Sequence, residues 1–389
     1  MRFVGLARAI AIVAVVVAAV AGCTSKSTNP PPVTATLTST PAAPAPSSAS
    51  SGLSGAAPPA DPATVRPTVA ETIATGLQSP WGLAFLPDGS ALVSERDTGK
   101  IKRIPPGGGS ASAIGTVPAV KHGGEGGLLG IAVASTFSQD RLLYAYLTAD
   151  DGNRVVRMQV SAEFHLGAPQ PVLTGIPAGR VHNGGRLAFG PDGMLYVTTG
   201  DGSSRSRSQD RKSLAGKILR VTADGKSAPG NPFPGSPVWT YGHRNVQGVA
   251  WDDQGRMWAD EFGQDTWDEL NLIRPGSNYG WPVVEGKAGK ARYVDPLVQW
   301  RPSDASPSGI TIADGSVWIA ALRGARLWQV PLTSSGVGTP KAWFVGDYGR
   351  LRNVAVAPDK SLWLVTNNTD GRGSPRSGDD RIVRITLTS

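Results

Sequence analysis

A short alternation of apolar runs and polar turns returns six times along the chain. Each copy begins with four small or apolar residues: 82–85 (GLAF), 130–133 (GIAV), 186–189 (RLAF), 248–251 (GVAW), 309–312 (GITI) and 353–356 (NVAV). The third positions of successive copies lie 48, 56, 62, 61 and 44 residues apart. Repeats of about 40–60 residues built from short strands are typical of a β-propeller with one copy per blade. The pattern therefore predicts an all-β fold with six blades.

Turns and further strands surround the copies. Pro-Asp-Gly turns follow two of them, at 87–89 and 191–193, and suit strand hairpins. β-branched runs predict outer strands at 100–104, 155–160, 217–221, 326–330 and 381–386. No amphipathic helix of three turns is visible. Residues 67–76 predict a strand that pairs with the C-terminal strands and closes the ring, which removes its open edges.

The N-terminus has the pattern of a targeting segment. A basic start precedes an apolar run, residues 9–21, which is too short to span a bilayer comfortably. The run ends in VAGC, which resembles a bacterial lipobox and predicts a lipoprotein signal peptide over residues 1–22. Cys23, the only cysteine, would then carry a diacylglyceryl group, and the exported chain would have no thiol for a disulfide.

Residues 24–68 contain ten prolines and only three charged residues. A stretch of this composition cannot bury enough apolar surface to fold, so residues 23–68 are predicted to be a disordered tether beginning at the lipidated cysteine. The propeller is then expected over residues 69–389. Together these features predict a domain anchored by its lipid to a membrane of the cell envelope, on the extracytoplasmic side.

The net charge of the 389-residue chain is +8. Its cations do not form a dense run with interleaved aromatic residues, which argues against nucleic-acid binding. A modestly basic surface suits a location near an anionic bilayer.

Two loops that precede inner strands carry residue types suited to catalysis. His182 lies beside two glycines that allow close approach of a ligand, and a histidine can act as a base near neutral pH. Alternatively, it is a polar loop residue bonded to a neighbouring strand. Arg244, in the equivalent loop of the next blade, offers a fork of donors for carboxylates, or else satisfies carbonyls at the end of its blade.

A third loop region, residues 261–271, is rich in acidic and amide side chains and is followed by 278–282. Clustered oxygens in a glycine-containing loop suit a hard cation such as Ca²⁺. The spacing is not that of an EF-hand, and a solvated acidic loop is the alternative interpretation.

Further arginines lie at or near inner strands. Arg350 and Arg352 are two residues apart and fall on one face of an extended strand, and Arg323 comes from another blade. With Arg244 they predict a cationic site on the axis that binds a small polyanion.

At this point the chain resembles the pyrroloquinoline quinone (PQQ)-dependent aldose sugar dehydrogenases, the glucose/sorbosone dehydrogenase family, from about residue 76 to the C-terminus. The matching motifs are GGLLG (126–130), HNGGR (182–186), TGD (199–201), GKILR (216–220), GNPF (230–233), GHRN (242–245), DELN (268–271) and NYGWP (278–282). The resemblance implies a six-bladed propeller that oxidises an aldose at C1 to its lactone. It also implies PQQ and Ca²⁺ as cofactors and an electron acceptor in the envelope.

The resemblance assigns roles to individual residues. It implies that His182 takes the proton of the anomeric hydroxyl, while the hydride from the same carbon passes to the quinone. Arg244 and Asn245 match residues beside the reacting quinone carbonyl, where preorganised donors help most. Gln247 matches a further residue on the cofactor side.

Other matches concern binding. Arg323, Arg350 and Arg352 match cationic contacts to the cofactor and its carboxylates. The carbonyls of Gly263 and Gln264 match ligands of the cofactor-bound Ca²⁺. A second calcium site of the smaller members is implied at Glu269 and Tyr279, in which Glu269 is the more convincing ligand.

Three positions depart from the family pattern. Glu125 stands near the cofactor where the family often has glutamine, and its negative charge would oppose a tricarboxylate unless cations offset it. Val181 replaces an acidic residue of some members. Gln264 replaces the usual proline, which should leave its carbonyl usable but the loop less rigid. Two other functions stay open at this point: a calcium-dependent propeller lactonase or esterase, and a non-catalytic propeller that binds cell-wall sugar or a protein partner.

Overall fold

The computed structural model describes residues 61–389, which form 24 β-strands in six four-stranded antiparallel sheets. The first strand, β1 (Arg66–Ala74), belongs to the last sheet. Blade 1 contains β2 (Pro80–Phe85), β3 (Ala91–Glu95), β4 (Lys100–Ile104) and β5 (Ser112–Thr116). Blade 2 contains β6 (Leu128–Val133), β7 (Leu142–Ala149), β8 (Gly152–Gln159) and β9 (Gln170–Ile176). Blade 3 contains β10 (Leu187–Phe189), β11 (Leu195–Thr198), β12 (Lys217–Val221) and β13 (Val238–Tyr241).

The remaining blades follow the same order. Blade 4 contains β14 (Val246–Trp251), β15 (Met257–Glu261), β16 (Asp268–Ile273) and β17 (Val298–Trp300). Blade 5 contains β18 (Pro307–Ala313), β19 (Ser316–Ala321), β20 (Arg326–Pro331) and β21 (Lys341–Trp343). Blade 6 contains β22 (Leu351–Val356), β23 (Leu362–Thr366) and β24 (Ile382–Thr388), followed in space by β1. The predicted all-β, six-bladed propeller is confirmed.

Helix is almost absent from the described part of the chain. It consists of the single turn α1 (Phe137–Asp140) and a 3₁₀ turn, Arg205–Ser208. None of the helices within residues 61–389 has the length and hydropathy needed to cross a membrane. The predicted signal peptide, Cys23 and most of the predicted tether lie outside the described residues.

The ring is closed as the sequence predicts. β1 pairs antiparallel with β24, and Val69 lies opposite Ile385. The chain just before β1 is also held, because the Gln329 side-chain amide in blade 5 donates to the carbonyl of Pro62 at 3.0 Å. Val65 is only 2% exposed in the cluster between blades 5 and 6. The propeller therefore begins a few residues before residue 69.

The six copies found in the sequence are the innermost strands. In every blade the third residue of the copy is small and lies opposite a large residue of the second strand. The pairs are Ala84–Leu92, Ala132–Tyr144, Ala188–Tyr196, Ala250–Trp258, Thr311–Trp318 and Ala355–Trp363. Complementary volumes across the first hairpin explain why the motif repeats. The predicted outer strands are the third strands of their sheets, and each has a fourth strand beside it.

Hydrophobic clusters fill the junctions between neighbouring blades. Trp258 and Ile310 meet between blades 4 and 5, for example, and Ile73 and Trp363 pack between blades 6 and 1. The core is thus a ring of six interfaces, and the axis is left for polar residues.

Register shifts occur at the start of the inner strands, and side chains within them reach the cavity. Five of the six inner strand pairs contain such a shift, and the residues within the shifts include Trp81, Gln247, Ser308 and Arg352. A β-bulge re-aims side chains locally. Trp81, Gln247 and Arg352 line one cavity, and Ser308 hydrogen-bonds to two of them.

Candidate active site

A polar cavity of about 160 Å³ lies where the starts of the inner strands meet. It is lined by Trp81, Arg96, Glu125, Gln247, Phe262, Ser306, Leu322, Arg323, Arg350, Arg352 and Arg372. Five of these were predicted from the sequence: Glu125, Gln247, Arg323, Arg350 and Arg352. They come from blades that are far apart along the chain, so the ring brings them together.

Arg350 and Arg352 are held in place by polar partners. Nη2 of Arg350 lies 3.0 Å from Oδ2 of Asp370, and Nη2 of Arg352 lies 4.0 Å from the same oxygen. Nη1 of Arg352 donates to the Gln247 side-chain oxygen at 2.8 Å. Burial lowers the pKa of Arg352 to about 9, because the protein supplies too little negative charge to offset the loss of water. An anionic ligand would supply that charge.

His182 lies next to the cavity and is oriented by a buried carboxylate. Its Nδ1 is 2.8 Å from Oδ1 of Asp201, which is fully buried. Oδ2 of Asp201 accepts the indole N–H of Trp281 at 2.9 Å. Burial alone would raise the pKa of Asp201, but hydrogen bonds from His182, Trp281 and the Ser203 N–H hold it below its ordinary value. An ionised carboxylate only accepts, so Nδ1 carries a proton, and in the neutral imidazole the lone pair is then on Nε2.

The backbone of His182 is fixed by a second carboxylate. Oε2 of Glu125 accepts the His182 N–H at 2.8 Å, and Oε1 of Glu125 lies 3.0 Å from Nη1 of Arg372. His182 has a φ of +61°, a left-handed conformation that few non-glycine residues adopt. The predicted clash between the charge of Glu125 and an anionic cofactor is therefore reduced by Arg372.

Arg244 and Asn245 were also predicted to lie at the site, but they are not among the residues that line the cavity. The Arg244 N–H donates to Oε1 of Glu261, and Nη1 donates to the carbonyl of Phe262 at 3.3 Å. The side-chain oxygen of Asn245 accepts the Gly184 N–H at 2.9 Å. Nε of Arg244 and Nδ2 of Asn245 are buried without a partner in the described chain. Such donors are costly to bury alone and suit an oxygen-bearing ligand.

The loop that carries Gly263 and Gln264 is built around one carboxylate. Oε1 of Glu285 accepts the backbone N–H groups of residues 264–267 at 2.8, 3.1, 2.9 and 3.0 Å. The Gly263 N–H donates to Asp268 at 2.9 Å. A proline at position 264 could not donate, so the glutamine adds a hydrogen bond that offsets the predicted loss of rigidity. Within residues 61–389 the carbonyls of residues 263 and 264 accept no hydrogen bond.

Glu269 and Tyr279 differ in how well their side chains suit a calcium ion. The oxygens of Glu269 accept the Gly286 N–H at 2.7 Å and the Asn271 side-chain amide at 3.0 Å. Burial, with the nearby Glu261 carboxylate, raises the pKa of Glu269 to about 8, and a cation here would relieve both effects. The Tyr279 hydroxyl donates to the Leu272 carbonyl at 2.9 Å, so its side chain is already committed. Residues 61–389 contain no cluster of three or more His, Cys, Asp or Glu side chains suited to a metal.

Sequence reasoning missed several residues of the site. They are Trp81, Arg96, Asp201, Trp281, Glu285, Asp370 and Arg372. Asp201 and Trp281 lie inside motifs that support the resemblance, so they could have been singled out there. The others lack a local signal, because their importance depends on partners from other blades.

Comparison with known proteins places this arrangement in a family. The family model described as Glucose / Sorbosone dehydrogenase matches residues 77–382. The chain belongs to this family. The solved PQQ-bound aldose sugar dehydrogenase of Streptomyces coelicolor is 56% identical with a TM-score of 0.83, covering 85% of this chain and 100% of that chain. The aldose sugar dehydrogenase of Escherichia coli (strain K12) is 29% identical over 82% of this chain and 95% of the relative. Quinoprotein glucose dehydrogenase B of Acinetobacter calcoaceticus is 30% identical over 63% of this chain and 59% of the relative.

The donor set of this glucose/sorbosone dehydrogenase family member fits PQQ. Three donor atoms are buried without a partner in the described chain: Nε of Arg352, Nε of Arg244 and Nδ2 of Asn245. Together with Arg323 and Arg350, these groups offer cations to carboxylates and neutral or charged donors to quinone oxygens. The free carbonyls of residues 263 and 264 fit a hard cation held between protein and ligand.

Proposed function

We propose that the protein oxidises an aldose at C1 to the lactone, with PQQ and Ca²⁺ bound at the axial cavity and His182 as the base. The observation that carries this proposal is the His182–Asp201 pair beside an arginine-lined cavity with unpartnered donors. The family membership and the PQQ-bound relative support it.

The chain's own residues account for the proton. Asp201 holds Nδ1 of His182, so Nε2 can take the proton of the C1 hydroxyl. The C1 hydrogen leaves with both bonding electrons, and the C1–O bond becomes the lactone carbonyl. Bound PQQ supplies the acceptor for that hydride. Arg244 and Asn245 would donate to the oxygen on which negative charge develops, and Arg323, Arg350 and Arg352 would hold the carboxylates.

Calcium belongs to the same proposal. The carbonyls of Gly263 and Gln264 would bind the ion that acts as a Lewis acid at the cofactor, and Glu269 would contribute to a second ion. The lactonase alternative needs several carboxylates around one axial cation. The described residues offer no such cluster, which favours the dehydrogenase.

The test is a titration of the purified protein with PQQ, with and without Ca²⁺, followed by dye reduction with a panel of aldoses. We expect calcium-dependent binding and sugar-dependent dye reduction. His182→Asn should abolish turnover while PQQ still binds, because asparagine tolerates the left-handed backbone. His165→Asn, at an exposed histidine, is the matched control. Absence of PQQ binding would overturn the proposal and favour a non-catalytic propeller.

The location is proposed as well. The lipobox supports a lipid anchor at Cys23 in the cell envelope, from which the enzyme would pass electrons to an envelope acceptor. Cys23→Ser should release the protein from the membrane fraction. Unchanged membrane association of that variant would contradict the anchor.

A further inference from the structure

An ion pair at the cavity joins Glu125 and Arg372, which are far apart along the chain. Glu125 lies just before β6 of blade 2, and Arg372 lies between β23 and β24 of blade 6, 247 positions away. Their side chains are 3.0 Å apart and both line the cavity. The Glu125 side chain is 14% exposed and that of Arg372 is 47% exposed. The carboxylate is therefore largely removed from water and depends on its partners.

The two oxygens of Glu125 have different tasks. One binds Arg372, and the other accepts the backbone N–H of His182. The backbone N–H of Glu125 donates to the carbonyl of Arg180 at 2.8 Å, which ties the same two loops together from the other side. Burial alone would raise the pKa of Glu125, but the His182 N–H and Arg372 hold it below its ordinary value. Glu125 is thus an ionised support for the loop of the proposed base.

Arg372 is also linked to the other arginines of the cavity through Asp370. Its backbone N–H donates to Oδ1 of Asp370 at 2.9 Å, while Oδ2 of Asp370 binds Arg350. The carbonyl of Asp370 accepts Nη2 of Arg96 at 3.2 Å. Asp370 therefore fixes the backbone from which Arg372 reaches Glu125, next to the arginines proposed to hold carboxylates.

We propose that Glu125 and Arg372 work as one charge-balanced unit, in which Glu125 positions His182 and Arg372 keeps the cavity receptive to a polycarboxylate. The inference rests on the proposed function for the identity of that ligand. Arg372 is a positioning residue here, since it acts through Glu125. The unit explains how a carboxylate can stand where the resemblance implies glutamine. Removing Arg372 alone leaves a buried negative charge facing the anion, whereas removing both charges does not.

The experiment is a double-mutant cycle in the full protein: Arg372→Met, Glu125→Gln, and both together. Glutamine keeps an oxygen for the His182 N–H. PQQ affinity is measured by quenching of tryptophan fluorescence, and thermal unfolding is measured without ligand. Arg376→Met is the matched control, because Arg376 lies on the same loop but its side chain donates only to backbone carbonyls, those of Asp347 at 2.7 Å and Gly346 at 3.1 Å.

We expect Arg372→Met to weaken PQQ binding about tenfold or more. The double variant should return to within about threefold of the wild type. The effects on the melting temperature should be non-additive in the same way. Arg376→Met should change neither the PQQ affinity nor the melting temperature. Equal losses in Arg372→Met and the double variant would overturn the unit. Failure of the wild type to bind PQQ, with non-additive melting temperatures intact, would instead overturn the proposed function alone.

Discussion

Nδ1 of His182 and Oδ1 of Asp201 lie 2.8 Å apart, and the carboxylate is completely shielded from solvent. The histidine comes from the loop before β10 and the aspartate from the loop after β11. Trp281, from the loop after β16, holds the second oxygen. The tautomer of the proposed base is therefore set by residues of two blades before any substrate arrives.

Asp201→Asn should separate orientation from binding. The amide can present N–H to Nδ1 and favour the wrong tautomer, so we expect kcat to fall by about 10²–10⁴-fold. The affinity for PQQ should change little, because the cavity arginines are untouched. Asp253→Asn, in an exposed turn, is the control. An unchanged kcat in dye reduction would show that Asp201 does not orient the base.

Glu285 should control the loop that we propose to bind calcium. Glu285→Ala leaves four backbone N–H groups without their acceptor and should cost about 1–3 kcal/mol of stability. It should also weaken Ca²⁺ binding to the PQQ-loaded protein in calorimetric titration. Glu285→Gln, which keeps an oxygen, should be intermediate, and Glu163→Ala, at an exposed site, should be silent. Wild-type calcium affinity in Glu285→Ala would argue against a positioning role.

Glu269 should make the calcium-free protein less stable as the pH rises. Its pKa is raised to about 8, so the folded state binds a proton that the unfolded chain, with an ordinary pKa near 4.5, releases. This contribution is fully present below about pH 4.5, declines as the pH rises towards 8, and is flat above that. The buried Asp268, with a pKa raised to about 6 by burial, adds a loss of the same sign at lower pH.

Melting temperatures from pH 5 to 9, with and without Ca²⁺, check this prediction. Glu269→Gln should flatten the curve between about pH 6 and 8 and remove most of the stabilisation by Ca²⁺. If calcium stabilises wild type and variant equally, Glu269 is not a ligand.

The closing strand allows a comparison within one element. Ile73 is 3% exposed and packs between blades 6 and 1, whereas Val69 is 37% exposed on the same strand. Ile73→Ala should lower the free energy of unfolding by about 2–5 kcal/mol, because it leaves a cavity. Val69→Ala should cost about 0.5 kcal/mol or less. Similar losses in denaturant titrations would mean that β1 contributes pairing but little packing.

The architecture could be predicted because the repeat has a simple cause. A small third residue must face a large one across each first hairpin, as Ala250 faces Trp258, and this constraint recurs at each blade. Ring closure could be predicted because residues 67–76 have the pattern of a strand with no local partner. The fourth strands of the other blades, by contrast, are short or solvated, as β21 (Lys341–Trp343) is, and leave little periodicity.

The site was predictable where chemistry is local and unpredictable where it is not. The two-residue spacing of Arg350 and Arg352 predicts a shared face, and the structure brings both to Asp370, although Arg350 lies just before β22 and Arg352 within its register shift. Nothing in the sequence around Arg372 indicates that it meets Glu125, because their separation along the chain carries no information about the ring. The same holds for Glu285, whose partners are backbone groups that every loop possesses.

Blade 6 is assembled from both ends of the described chain, and it also supplies Arg350, Arg352 and Arg372 to the cavity. Any route that opens the ring by detaching β1 loosens the blade that provides these groups. A ligand held by arginines of this blade and by residues of other blades would hold blade 6 to the rest of the ring and oppose that opening. The lifetime of the folded protein would then depend on the rate at which that ligand dissociates, so cofactor supply would set its kinetic stability as well as its activity.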